Sequence, residues 1–85
     1  MKKKDLENQF IKQIEIKVKV GIDCMNKYQS IDFLTFTISE LEGFKSAVKC
    51  IYEKSIVIEI IDEKIFILKQ MRDEFHNHIR KGMSI

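Results

Sequence analysis

Apolar and polar residues alternate in the first third of this chain. Ile14, Ile16, Val18, Val20 and Ile22 share one parity, while Glu15, Lys17 and Lys19 take the other. In an extended backbone, successive side chains point to opposite faces. The pattern predicts a strand with one dry face and one lysine-rich wet face, and outward lysines protect a sheet edge from wrong pairing. Ahead of it, Leu6, Phe10, Ile11 and Ile14 lie at helical spacing, which leaves room for a short N-terminal helix. A polar connection over 23–30 leads to a second apolar run, 31–38, where Leu34, Phe36 and Ile38 share a strand face. Two strands this close in sequence are expected to pair antiparallel.

Ser39-Glu40-Leu41-Glu42 then has the form of a capping box, in which the serine hydroxyl accepts from a first-turn N–H and Glu42 reaches back to the cap amide. It predicts a helix over 40–54 whose core positions Leu41, Phe44, Val48 and Ile51 step by three and four. Gly43, Ala47 and Cys50 make a second stripe of small side chains, which predicts that this helix lies close on its own sheet. Residues 55–61 read as a third strand. Asp62-Glu63-Lys64 reads as a hairpin turn into a fourth strand over 65–69, because Ile65-Phe66-Ile67-Leu68 is a run rich in β-branched and aromatic residues. In the alternative reading Asp62 caps one long helix to Lys81, with Ile65, Leu68, Phe75 and Ile79 on one face. Either way the end is helical: Met71, Phe75 and Ile79 step by four, and Gly82 sits where a C′ residue belongs. The expected fold is a small single α+β domain of order ββαββα. Its mainly antiparallel sheet is packed by helices near 40–54 and 70–81.

Composition narrows the function more than it defines it. The chain has 85 residues, no proline and three glycines. Nearly all of it should be regular structure, with little loop left, and loops are where chemistry usually sits. Hydrophobic residues make up 45% and charged residues 33%, a globular mixture. Lys2-Lys3-Lys4 leads into Asp5, Glu7, Asn8 and Gln9 rather than a signal-peptide core, and no apolar run nears the roughly 20 residues that span a bilayer. The expectation is a cytoplasmic protein without membrane association. Cys24 and Cys50 are far apart and are read there as reduced thiols.

The net charge of +2 is unevenly placed: residues 1–30 carry +3, residues 31–63 carry −4 and residues 64–85 carry +3. Lysine dominates, and only Arg72 and Arg80 supply the bidentate geometry that suits phosphate and base recognition. Lys12, Lys17 and Lys19, with the lysines at the N-terminus, are the candidates for weak electrostatic nucleic-acid binding, although Glu15 interrupts their stripe. The abundance of Lys and Ile fits an AT-rich genome, such as that of a low-GC bacterium or its phages and plasmids.

No catalytic, cofactor or metal set stands out, and the chain is read as a non-enzyme. His76 and His78 lie two apart, which on a helix separates them by about 200° and prevents a shared metal. Cys24, Cys50 and the histidines lack the close ligand pairs of structural zinc sites. Asp73, Glu74 and His76 have no nucleophile nearby and no glycine-rich turn to hold an oxyanion. What remains is apolar surface. If 56–61 and 65–68 are strands, they are greasy on both faces and need cover on both sides. The expected function is therefore a non-catalytic protein-binding module, of the kind a phage or other mobile element uses as an accessory or inhibitor protein. It would act as a homodimer and occlude a partner's site, with Lys12, Lys17, Lys19, Phe66, Phe75 and Ile79 as candidate interaction residues.

Overall fold

The computed structural model describes the backbone of residues 2–83 and the side chains of residues 2–77. It contains three helices: α1 is Lys3–Tyr28, α2 is Asp32–Ile51 and α3 is Ile56–Met83. No strand occurs among the described residues, so the expected ββαββα sheet is absent and the fold is a three-helix bundle. The run 14–22 lies inside α1, the run 31–38 opens α2, and 56–69 forms the first half of α3. Of the two expected helices, 40–54 overlaps the later part of α2 but overruns its end at Ile51, and 70–81 lies inside α3, which continues through Gly82 instead of ending before it. The long-helix alternative has the right element but the wrong start, since α3 begins at Ile56 rather than Asp62.

The correction has a geometric cause. Residues four apart share one face of a helix. A five-residue alternation therefore divides into two helical stripes. In α1 the first is Ile14, Val18 and Ile22: Ile14 is fully buried, and the other two pack against the core. The second is Ile16 and Val20, exposed by 56% and 55%. The run in α2 divides the same way, with Leu34 and Ile38 buried and Phe36 64% exposed. A β-branched residue costs a helix at most about 0.7 kcal/mol relative to alanine. Burying one large aliphatic side chain yields about 1.5–3 kcal/mol. Local preference for strand is thus outweighed wherever helical spacing puts enough apolar side chains into one core.

Contacts between helices fix the topology. Phe10 meets Phe44, Lys17 meets Glu40 and Gly21 meets Thr37, so α1 and α2 form an antiparallel hairpin. Ser55 bonds Glu7, which sets the start of α3 beside the start of α1 and makes these two helices parallel. Lys45 on α2 pairs with Asp62 on α3 at 2.6 Å. The core between the three holds Ile14, Met25, Leu34, Ile38, Leu41, Val48, Val57, Ile61, Ile65 and Leu68. Four of these come from the 56–68 segment. Ile56, Phe66 and Ile67 of the same segment stay exposed, so the segment is covered along one helical face and is not a pair of strands needing cover on both faces.

Three local expectations are also corrected. Ser39 sits exposed in the middle of α2 and caps nothing. The helix begins seven residues earlier, where Asp32 N donates to Ser30 Oγ at 3.3 Å and Leu34 and Thr35 N donate to Ile31 O. The stripe of Gly43, Ala47 and Cys50 faces outward instead of meeting a neighbour. Of the four expected core positions, Leu41 and Val48 are buried, Phe44 is half-buried edge-on to Phe10 at 5.4 Å, and Ile51 is 55% exposed.

Candidate protein-binding groove

The close approach within the fold occurs at Gly21, on the side of the α1–α2 hairpin. A Cβ built there would collide with Thr37 Oγ1 and lie 3.1 Å from Thr37 Cβ. Glycine is required at this point because the threonine side chain occupies the space a side chain on α1 would take. Thr37 is 2% exposed, and its hydroxyl donates to Phe33 O at 2.8 Å, so this buried hydroxyl has a partner.

Around this contact the helices carry larger side chains. Ile16 and Val20 rise from α1, and Phe33 and Phe36 rise from α2. Together with Cys24 they line a groove of about 600 Å³. The rim is charged. Lys17 Nζ donates to Glu40 Oε2 at 3.2 Å across one part of it, and Asp32 lies further along α2 toward its start. Near that end Tyr28 stacks on Phe33 at 5.4 Å, with Lys27 Nζ 5.4 Å from the tyrosine ring centre.

The groove offers apolar walls and one ion pair, and no acid–base or nucleophilic set. Cys24 and Cys50 are free thiols. Among the described residues, no three His, Cys, Asp or Glu side chains are grouped to hold a metal. The volume falls within the range of small-ligand pockets, about 300–1,000 Å³. Yet Ile16, Val20 and Phe36 are each more than half exposed, so the groove is an open trough rather than a cavity. A small molecule there would keep much of its surface in water. An amphipathic helix laid along it would cover the walls from end to end.

The candidate interaction residues are scattered by the fold. Lys12 and Lys19 are both exposed and share one face of α1 with Glu15 between them. Lys17 leans the other way, toward Glu40. Lys3 is engaged at the far end, donating to Lys54 O at 3.2 Å and lying 5.1 Å from the centre of the Tyr52 ring. The N-terminal lysines therefore do not make one continuous basic face. Phe66 is 61% exposed on α3, but its neighbours one turn away are Asp62, Glu63, Lys69 and Gln70. Phe75 is half-buried against the core. The side chain of Ile79 lies outside the described residues.

Ile16, Val20 and Phe36 were not among the candidates. A signal for them was present in the sequence: they are what remains of each apolar alternation once a four-residue stripe has been assigned to the core. Among the described residues no helix is long and apolar enough to cross a membrane. No protein-family model, curated protein or solved structure matches the chain.

Proposed function

We propose that this chain is a non-catalytic protein-binding module whose recognition surface is the α1–α2 groove, acting by covering the surface of a protein partner. The observation that carries the reading is the second apolar stripe. Ile16, Val20 and Phe36 contribute little to the bundle's own core, yet they gather on one side of one hairpin over a floor kept low by Gly21. Large contiguous apolar patches on a folded surface are characteristic of interaction sites. The grouping also fits the anchor pattern of helix-in-groove recognition.

Site-specific photo-crosslinking tests this. A photoreactive residue at Val20 should trap one defined protein in extract of the native host, and the same probe at Phe66 should not. The trapped protein, purified, should bind the wild-type chain and lose about thirty-fold or more in affinity against Phe36→Glu, the effect of removing one interface hot spot. Adducts that form equally from both positions would overturn the assignment. A second reading, weak electrostatic nucleic-acid binding, is favoured by the exposure of Lys12 and Lys19 on one helix face. It requires affinity for DNA or RNA that falls steeply with salt and is lost on neutralising those two lysines.

A further inference from the structure

We infer that the occupant of the groove is a second copy of this chain, held in a twofold pair in which each α1 lies antiparallel on the partner's α2. This rests on the groove being a protein-binding surface and names what binds there.

Two observations point to a second copy. The first is charge. Within the hairpin, positions on α1 and α2 at one level are related as Lys17 is to Glu40 and Tyr28 to Phe33. A twofold axis running along the groove keeps each level and exchanges the helices. It sets Lys17 over the partner's Glu40 and brings Lys27 near the level of the partner's Asp32. It also sets Val20 against the partner's Phe36. Each rim position then meets the opposite sign. The other face-to-face twofold, with its axis across the groove, brings Asp32 toward the partner's Glu40, acid on acid. The favoured pairing makes a four-helix arrangement in which every neighbouring pair is antiparallel, as in up-down bundles. The contact is also isologous, as a closed dimer requires.

The second observation is area. Ile16, Val20, Tyr28 and Phe36 are exposed by 56%, 55%, 59% and 64%. A whole aromatic side chain offers about 150–250 Å², so these four present roughly 400 Å² of apolar surface. A standard interface buries about 800 Å² on each partner, a little over half of it apolar. The exposed stripe, with its charged rim, matches one side of such an interface.

Sedimentation equilibrium of the full chain, from low micromolar concentration upward, should give the mass of two chains at the upper end. Phe36→Glu and Ile16→Glu should each weaken the pair by about thirty-fold or more, while Phe66→Glu leaves it intact. Helical circular dichroism checks that each variant is folded, and the exposure of all three residues makes this the expected result. The decisive variants are K17E and E40K. Each alone should weaken its own homodimer by about fivefold. An equimolar mixture of the two should recover, because opposite charges then meet across the interface and like charges within each chain. A wild-type chain that remains monomeric throughout overturns the inference and leaves a different partner for the groove, which the crosslinking experiment detects separately. A dimer broken by Phe66→Glu, or a mixture no tighter than its components, also overturns it.

Discussion

Ser55 Oγ donates to Glu7 Oε2 at 2.6 Å and accepts from Val57 N at 3.2 Å. One hydroxyl thus caps α3 and ties it to the first turns of α1. Ser55 is 9% exposed, which shields both bonds from solvent. Its local role is that of a serine satisfying orphan N–H groups at a helix start, a role that disappears when 55–61 is read as a strand. Its long-range role depends on Glu7, forty-eight residues away, and needs the folded chain.

Ser55→Ala should lower stability by about 1–2 kcal/mol, from the lost cap and the hydrogen bond to Glu7. Ser55→Asp keeps a capping acceptor but sets a carboxylate against Glu7. It should therefore recover less than Ser55→Thr, which keeps the hydroxyl. Urea unfolding of the three variants at one fixed chain concentration checks the order. An alanine variant with an unchanged midpoint would mean that neither bond contributes.

Gly21 in α1 and Gly43 in α2 should respond to alanine with opposite signs. At Gly43 nothing among the described residues lies within 4 Å of a new Cβ. There Gly43→Ala should stabilise by about 0.8–1.0 kcal/mol through helix propensity alone. At Gly21 the same methyl meets Thr37 and forces the hairpin apart. That strain, of about 1–3 kcal/mol, should outweigh the propensity gain. Thermal melts of the two variants side by side read the sign directly, and two melts that shift the same way would place Gly21 wrongly.

Gln29 holds the left-handed conformation, with φ 53° and ψ 45°, at the end of α1, and its N–H bonds Met25 O. A side chain there costs about 1–2 kcal/mol relative to glycine, which adopts this region freely. Gln29 also donates from Nε2 to Asn26 O at 2.6 Å, an exposed bond that returns only part of that cost. Gln29→Gly should therefore raise the melting temperature, whereas Gln29→Val, with a branched Cβ at positive φ, should lower it.

Ser39 shows where the sequence was persuasive and incomplete. Its capping-box spelling is real, but nothing in the four letters says that a helix is already running when the chain reaches them. In place of a cap the residue is an exposed mid-helix serine. Ser39→Ala should leave stability unchanged or raise it by about 0.5 kcal/mol, and a loss of about 1 kcal/mol would restore the cap. The same limit governs the larger correction. The inward stripes Ile14-Val18-Ile22 and Leu34-Ile38 were legible as apolar positions, and so were Leu41, Val48, Ile65 and Leu68. Periodicity in two short runs could not tell one dry strand face from two helical stripes, because both contain the same residues. The distinction lies in contacts made between α1, α2 and α3, such as Gly21 against Thr37. The groove inherits that ambiguity, since Ile16, Val20 and Phe36 count as core in a sheet and as surface in a bundle.

That difference makes the last prediction the sharpest. If the chain were a sheet, Ile16 and Ile14 would share a buried face, and truncating either would be costly. In the bundle Ile14 is fully buried while Ile16 is 56% exposed. Ile14→Ala should then cost about 2–5 kcal/mol, from lost transfer energy and a residual cavity. Ile16→Ala should cost much less, because the side chain is already half in water and alanine is the better helix former. Val18→Ala and Val20→Ala should repeat the contrast, with Val18, packed against the core, the costlier of the two. These melts must be made at concentrations low enough that any dimer is dissociated, since association would add its own stability to the wild type and exaggerate the effect of the outward residues. Measured that way, a large loss at 14 and 18 with a small one at 16 and 20 establishes the four-residue stripe. Equal losses at all four positions would return the alternation to a strand and remove the groove with it.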